Sequence, residues 1–415
     1  MIFQDKGLRN RLLFILGALF ISRLLANIPI PGVDSAKLMT FFAGNDFLSF
    51  LNIFSGGGMS KLSIAMLGVS PYITASIIMQ LLTMMSSKIK TMYQEEGEIG
   101  RKKFIQISRY LTIPIAFIQG FSFLKLLENY GVITHISTFD FSINLLIVVA
   151  GSILMMWIGE LMTEFGIGNG ISLLIFAGIV ASLPTTITQM ALSFSASQIP
   201  AYLLLLVVFL IVIYGVVFIS EAERPIPVTY AKRIVGSKVT GGVSTYLPLR
   251  LNQAGVIPII FAMSILLFPQ IILKYLSQIA TSEVVKNITL SISDFLTNSW
   301  SHGILYFVLV VLFTYFYTAV TFDPDQISKN LQQGGAFIPG IRPGNSTSEY
   351  LGKVLTRITL VGALFLGVIA VLPLVVQSIS GVSSIAIGGT ALLIVVSVVI
   401  DLIKKIQAQI TMREY

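Results

Sequence analysis

The chain has no cysteine among its 415 residues. Disulfides, iron–sulfur clusters, thiolate metal sites and cysteine nucleophiles are therefore excluded. Its two histidines, His135 and His302, lie far apart, and neither belongs to a metal-binding or catalytic motif. Charged residues are also scarce, at 11% of the chain. Soluble domains carry about 25%, so an ordinary water-soluble enzyme is excluded as well.

Apolar residues make up most of the chain instead. They account for 55% of it, and the mean hydropathy is +0.87. A helix that crosses a bilayer needs roughly 20 mostly apolar residues. We therefore predict an all-α polytopic membrane protein with ten transmembrane helices, at residues 12–30, 63–85, 105–127, 143–163, 170–193, 199–219, 254–272, 304–321, 354–376 and 385–403.

The first apolar run has two interpretations. Lys6, Arg9 and Arg11 precede it, which is also the arrangement of a secretory signal peptide. Arg23 inside the run and Pro29 behind it, together with the lack of a small-residue cleavage site, favour a retained first span.

The basic residues predict the orientation, because the cytoplasmic loops of membrane proteins are enriched in Lys and Arg. With the N-terminus in the cytoplasm, 21 of the 27 Lys and Arg fall on the cytoplasmic side and Arg23 lies within a span. The outer side receives the other five, Lys37, Lys61, Lys125, Lys274 and Lys286. Both termini are therefore predicted to be cytoplasmic.

Five spans in each half have a geometric consequence. The sixth span starts outside whereas the first starts inside, so the halves 1–197 and 198–415 are predicted to be inverted repeats around a central pore. The second half carries two long polar loops on the cytoplasmic side, 221–252 and 323–350. Long loops without helices of their own tend to be functional, so we expect a docking surface there.

The segment 47–61 between the first two spans is too apolar for a solvated loop and too short to cross the membrane. Gly56, Gly57 and Gly58 would end a helix there and allow a sharp reversal. The segment is either an amphipathic helix on the outer surface or a re-entrant half-helix surrounded by protein.

Few ionisable residues lie inside the spans, which instead hold neutral polar residues such as Gln80, Asn169 and Gln270. Neutral polar side chains usually serve as interhelical hydrogen-bonding groups. An ion-coupled secondary transporter with inverted repeats is a second hypothesis, but it normally keeps an ionisable group near the midplane. An intramembrane enzyme is a third, and it would need a nucleophile–base pair or a metal set.

Short motifs are spread over nearly the whole chain. They are 29–32 (PIPG), 52–82 (NIFSGGGMSKLSIAMLGVSPYITASIIMQLL), 97–103 (GEIGRKK), 166–172 (GIGNGIS), 230–233 (YAKR), 247–249 (LPL), 252–258 (NQAGVIP), 335–344 (GAFIPGIRPG) and 388–394 (GGTALLI). In this order they resemble the SecY family, the channel-forming subunits of the bacterial-type Sec protein translocase.

The resemblance implies a protein-conducting channel of the plasma membrane, without enzymatic activity or a cofactor. Such a channel passes unfolded preproteins across the membrane and releases signal sequences and transmembrane segments sideways into the lipid bilayer. The implied partners are SecE-like and SecG-like small membrane subunits, the motor ATPase SecA and the ribosome.

The resemblance also assigns residues, motif by motif. It implies an aliphatic pore ring of Val69, Ile73, Ile171, Ile175, Ile260 and Ile394, in which Val69 replaces an isoleucine and loosens the ring slightly. It implies a plug that includes Leu51, Asn52, Ile53, Phe54, Ser55, Gly56, Gly57 and Gly58. Gln80 and Asn169 become candidate polar residues of a lateral gate between spans two and three and spans seven and eight. The docking cations for the motor or ribosome become Lys232, Arg233, Lys238 and Arg342.

Overall fold

The protein folds as a bundle of apolar helices with a small β-sheet at one end. The computed structural model describes residues 6–31, 57–59, 61–129, 131–133, 137–192, 199–230, 233–235, 238–240, 244–279, 283–380 and 388–414. The helices in these ranges are α1 (Lys6–Leu25), α2 (Ser70–Met85), α3 (Ser87–Gln94), α4 (Gly97–Asn129), α5 (Thr138–Phe165), α6 (Gly170–Leu192), α7 (Ile199–Glu221), α8 (Ile257–Ile279), α9 (Glu283–Thr297), α10 (Ser299–Thr321), α11 (Pro324–Gln333), α12 (Asn345–Ser380) and α13 (Gly388–Glu414). The strands are β1 (Glu223–Tyr230), β2 (Arg233–Val235), β3 (Lys238–Thr240), β4 (Ser244–Arg250) and β5 (Ala336–Phe337).

Each of the ten predicted spans coincides with a helix, which confirms the predicted polytopic helical fold. These helices are α1, α2, α4, α5, α6, α7, α8, α10, α12 and α13. Over the described residues, the stretches that contain α4, α5, α10 and α12 are long and apolar enough to cross a membrane, and α2, α6, α7 and α8 contain shorter apolar segments.

The surface of the bundle is apolar over large areas. On α10, Trp300, Ile304, Val308 and Leu312 follow one another at four-residue spacing and are all at least half exposed. Residues four apart lie on the same face of a helix. An exposed apolar stripe of this length is unfavourable in water and is typical of a helix that faces lipid.

The second span begins later than predicted. The expected helix from residue 63 starts only at Ser70, with Pro71 in its first turn. Before it, Leu62 and Gly68 have φ of 41° and 55°, which interrupt a right-handed helix. Hydropathy does not reveal that the helix starts late, because an irregular segment packed inside the protein is as apolar as a helix.

This irregular segment, residues 61–69, is hydrogen-bonded to the residues that follow α1. Ile64 N donates to Ile28 O at 2.9 Å and Ile30 N donates to Leu62 O at 2.8 Å. The segment also lies directly against α5, because a Cβ built on Gly151 would be 2.0 Å from Ile64 O. Small residues allow helices and backbone to approach closely inside a membrane bundle, and Gly151 has this role here.

The two long polar loops form one ordered unit. β1 pairs antiparallel with β4, and its other edge pairs with β5 from the second loop. Ile226, Val228 and Leu249 of the first loop pack in one apolar cluster with Ile338 of the second and Leu351 of α12. We call this unit the sheet platform. It adds a small antiparallel sheet to the predicted all-α architecture, and it defines the sheet end of the bundle.

Candidate functional site

Five of the six residues assigned to the pore ring lie on four helices, Val69 directly precedes one of these helices, and all six belong to or pack against one apolar cluster. Val69, Ile175, Ile260 and Ile394 are at most 7% exposed within it. Ile73 and Ile171 are half-buried and pack against the same cluster. The structure therefore brings together side chains that are up to 325 positions apart in the sequence. They come from α2 with its preceding residue and α6 in the first half, and from α8 and α13 in the second. Their sealing role stays a prediction, since the cluster also contains ordinary packing residues.

Local sequence features explain how these side chains reach the centre. Val69 is the last residue before α2, and Ile73 N donates to Val69 O at 3.1 Å in the first turn. Ile171 and Ile175 lie in the first two turns of α6, whose first residue is Gly170. Gly170 packs so closely against α5 that there is no room for a side chain. A Cβ on Gly170 would lie 2.0 Å from Gly159 O. The α5–α6 connection thus places both isoleucines against the bundle centre.

A polar cavity of about 340 Å³ opens at the sheet end of the bundle. Its wall includes Asn169 just before α6, Ser172 of α6, Asn252 and Gln253 before α8, and Asp401 of α13. The cavity also touches Ile167, Leu173 and Val256, which belong to the same apolar cluster as the candidate ring. The wall of this cavity is therefore partly polar and partly aliphatic, and its aliphatic part belongs to the cluster that holds the candidate ring.

Ion pairs hold the rim of the cavity. Lys404 Nζ of α13 lies 3.0 Å from Glu221 Oε1 at the end of α7, and Arg250 Nε lies 3.3 Å from Glu223 Oε1 across β1 and β4. These side chains are partly exposed, so each pair contributes only about 0–1 kcal/mol to stability. Sequence reasoning missed both pairs, because nothing in the order of the chain predicts that α7 and α13 are neighbours or that Glu223 and Arg250 face each other across β1 and β4.

Asn169 caps α6. Its side-chain Oδ1 accepts from Ile171 N at 3.0 Å and from Ser172 N at 3.3 Å. Capping of the first free N–H groups is a standard role of Asn. Asn169 therefore lies at the start of the fifth span and on the cavity wall, and its assignment to a lateral gate stays a prediction.

The helices assigned to the two sides of a lateral gate do pack together. α2 contacts α8 and α10, and α4 contacts α8. Gln80 of α2 is half-buried, and its Nε2 lies 3.5 Å from Ser76 Oγ of the same helix. Its Oε1 is buried without a hydrogen-bond partner among the described residues. We call the boundary between α2/α4 and α8/α10 the helical seam.

The candidate plug falls largely outside the described residues. Of its assigned residues, only Gly57 and Gly58 are described. Those outside the described residues are Leu51, Asn52, Ile53, Phe54, Ser55 and Gly56. Gly57 has a φ of 82°, in the region that favours glycine. A Cβ on Gly58 would lie 2.9 Å from Ala65 O, so the turn packs tightly on the segment before α2. The re-entrant half-helix itself stays a prediction.

The candidate docking cations divide into two groups. Arg342 lies on the sheet platform in an exposed turn between Gly340 and Gly344, whose φ values are 84° and 101°. Thr347 Oγ1 donates to Arg342 O at 2.9 Å, and Ser328 Oγ donates to Gly344 O at 2.7 Å, so α11 and α12 both hold this turn.

The second group is on a separate hairpin. Arg233 lies in β2 and Lys238 in β3, and these strands pair antiparallel. Lys232 lies outside the described residues.

The strands of the sheet platform could have been predicted from one signal in the sequence. Apolar residues alternate with other residues at 226 and 228 and at 247 and 249.

The fold and this site define a polytopic helical membrane protein with an aliphatic centre and a polar cavity at one end. The SecY family model matches residues 63–403. The protein translocase subunit SecY of Synechococcus elongatus is 42% identical over 99% of this chain and 94% of the relative. That of Thermotoga maritima is 42% identical over 100% of this chain and 95% of the relative. The chain belongs to the SecY family.

Solved structures support the same fold. A structure described as a protein conducting channel aligns over 95% of this chain and 91% of the other, with a TM-score of 0.64 and 18% identity. A SecY structure, described in terms of a plug domain that stabilises the closed state, aligns with a TM-score of 0.65 and 20% identity over 95% and 91%. Sec61 in a canine ribosome-channel complex aligns with a TM-score of 0.60 and 17% identity over the same shares.

Proposed function

We propose that this protein is the channel-forming subunit of a protein translocase. The observation that carries the proposal is the polar cavity at the sheet end, which leads to an aliphatic cluster shared by α2, α6, α8 and α13. A conduit for unfolded chains has to admit any side chain and yet block ions when idle. A narrow aliphatic constriction does this, since hydrophobic constrictions close by dewetting.

In this proposal an unfolded preprotein enters through the cavity and passes the ring formed by Val69, Ile73, Ile171, Ile175, Ile260 and Ile394. β-branched side chains are stiff at χ1, so the ring returns to the same closed arrangement after each chain has passed. Signal sequences and transmembrane segments leave through the helical seam, where α2 and α4 meet α8 and α10. The plug, about 47–61, closes the ring from its outer side.

The proposed partners follow from the two ends of the molecule. The sheet platform presents Arg342 on a rigid turn, which fits docking of a motor ATPase such as SecA or of the ribosome. Sec61 and Ssh1, which share this fold, were solved with ribosomes. We further propose that SecE-like and SecG-like single-span subunits bind in the plasma membrane, and that both termini are cytoplasmic.

The secondary-transporter alternative is not favoured. A secondary transporter would be similar to other transporters, whereas the relatives of this chain are named protein translocase subunits. Within the described part of the chain, the buried polar side chains are Ser, Thr, Asn and Gln, and no Asp, Glu, Lys, Arg or His is among them. An ion-coupled transporter normally keeps an ionisable group near the midplane, so this set of buried residues suits a conduit better.

Cross-linking at the ring tests the proposed path. We expect a photoreactive residue in place of Ile175 or Ile260 to capture a preprotein stalled during translocation. The same residue in place of Leu312, which is 55% exposed on the lipid-facing stripe of α10, is the control and should capture lipid only. Gel mobility of labelled preprotein reports the adduct. Equal capture at Leu312 and Ile260, or none at Ile260, would overturn the proposed path.

Cysteine labelling tests the orientation, since the chain has no cysteine of its own. We expect single cysteines replacing Lys125 and Lys286 to react with an impermeant maleimide added outside intact cells. Cysteines replacing Lys238 and Arg342 should react only after the membrane is opened. The reverse pattern at either pair would contradict cytoplasmic termini.

A further inference from the structure

Helix α9 (Glu283–Thr297) lies between the seventh and eighth spans, at the end of the bundle opposite the sheet platform. It falls between the predicted spans 254–272 and 304–321. The helix packs on α8 and α10. Its last turn is tied to both, because Gln270 Nε2 of α8 and His302 Nδ1 of α10 each lie 3.1 Å from Leu296 O. The position of α9 relative to the two spans is therefore fixed.

The face that α9 turns toward the bundle is not its apolar face. Among its described side chains, Thr289 and Ser293 are buried, at 7% and 6% exposed, and Leu296 is partly buried against the main apolar cluster of the bundle. Thr289 satisfies its hydroxyl within the helix by donating to Val285 O at 2.8 Å. In a soluble protein the most buried positions of a surface helix carry its large apolar side chains, whereas the two most buried positions of α9 carry small polar ones.

The large apolar side chains of α9 point away from the protein. Val284 is 67% exposed, Val285 45%, Ile288 55%, Ile292 44% and Phe295 60%. At 100° per residue these five fall within an arc of about 100°. Apart from Leu290, the opposite arc holds exposed polar and charged residues, namely Glu283, Lys286, Asn287, Ser291 and Asp294.

The surface that continues from this arc is lipid-facing. α9 leads within two residues into α10, whose stripe begins with Trp300, 72% exposed. Tryptophan is enriched at the level where bilayer meets water. An apolar crevice beside it is lined by Trp300, Gly303, Ile304 and Phe307 of α10 and by Val371 and Leu374 of α12. The apolar arc of α9 therefore immediately precedes, in the chain, the tryptophan end of the lipid-facing stripe.

We propose that α9 is an interfacial membrane helix that inserts its Val284–Phe295 apolar arc into the outer leaflet. One lysine on the polar arc gives little preference for anionic headgroups, so the binding is driven by apolar burial. Seated in the leaflet, α9 connects the bilayer surface to the outer ends of α8 and α10. α8 and α10 form one side of the helical seam. The lipid interface thereby restrains how far this side can move away from α2 and α4.

Tryptophan fluorescence tests this placement directly. The chain has two tryptophans, Trp157 and Trp300, both exposed, and both would be changed to Phe. Ile288→Trp then places a single reporter on the apolar arc, and Asn287→Trp places a matched control one residue away on the polar arc. The full chain would be reconstituted in phosphatidylethanolamine and phosphatidylglycerol liposomes, with or without brominated acyl chains.

We expect brominated lipid to quench the Ile288→Trp reporter roughly threefold more strongly than the Asn287→Trp control, with the reverse order for aqueous acrylamide. Equal acrylamide quenching of both reporters would show that the arc faces water. Shielding of the Ile288→Trp reporter from both quenchers would show that protein covers it. Either result would overturn the proposal. If Ile288→Trp does not fold, Ile292→Trp provides the same test one helical turn further along the arc.

Discussion

The idle channel is expected to leak ions when Ile73 and Ile260 are both replaced by Asn. Ile260 is 7% exposed and Ile73 packs against the same aliphatic cluster, on helices from opposite halves of the chain. Aliphatic walls provide no ligands to replace the water that an ion loses, so a dry constriction is a high barrier. Two carboxamides would hold water there. A barrier lowered by about 1.4 kcal/mol raises the rate of passage roughly tenfold.

Conductance would be recorded in planar bilayers without any translocating chain. The control is Ile77→Asn with Leu266→Asn, which alters buried members of the same cluster on the same two helices, α2 and α8. We expect the control to lower stability without raising the resting current. The ring variant should also export preproteins with poor signal sequences better, because a wetted constriction favours the open state. A ring variant as tight as the parent would show that these residues are ordinary packing.

Arg342→Glu is expected to leave the protein folded and inserted but to reduce translocation by roughly thirtyfold or more. The guanidinium is exposed, and its backbone is held by Thr347 and by the glycines at 340 and 344. A rigid turn presents the planar fork of Arg to carboxylates or phosphates, which Lys cannot copy. Loss of one partner of a docked charge pair costs about 2–5 kcal/mol, which corresponds to this reduction.

The measurements are binding of the motor ATPase and of ribosomes to proteoliposomes, followed by protease protection of a translocated preprotein. Lys329→Glu on α11 makes the same charge change on an exposed residue outside the turn and is expected to have a much smaller effect. Arg342→Lys should recover part of the binding. Undiminished motor and ribosome binding by Arg342→Glu would remove Arg342 from the docking site.

The sheet platform illustrates what hydropathy could not predict. The alternation at Ile226 and Val228 was visible in the sequence, but β1 obtains its second partner, β5, from a loop about 100 residues later. Pairing at that distance depends on where α8, α10 and α12 place the loops. The same holds for Lys404 and Glu221, which meet only because α7 and α13 are neighbours.

The sequence by itself determined the ten apolar helices, because each span has to satisfy its backbone hydrogen bonds within its own segment and needs a run of about 20 apolar residues. Its motifs also determined the family. Only the tertiary structure decided that the second span starts at Ser70, that Val69, Ile175, Ile260 and Ile394 share one cluster, and that α9 turns its apolar arc outward. These features depend on which helices become neighbours. In lipid that choice is made by close packing at residues such as Gly151 and Gly170, and not by hydropathy, since the tails around the bundle are as apolar as its core.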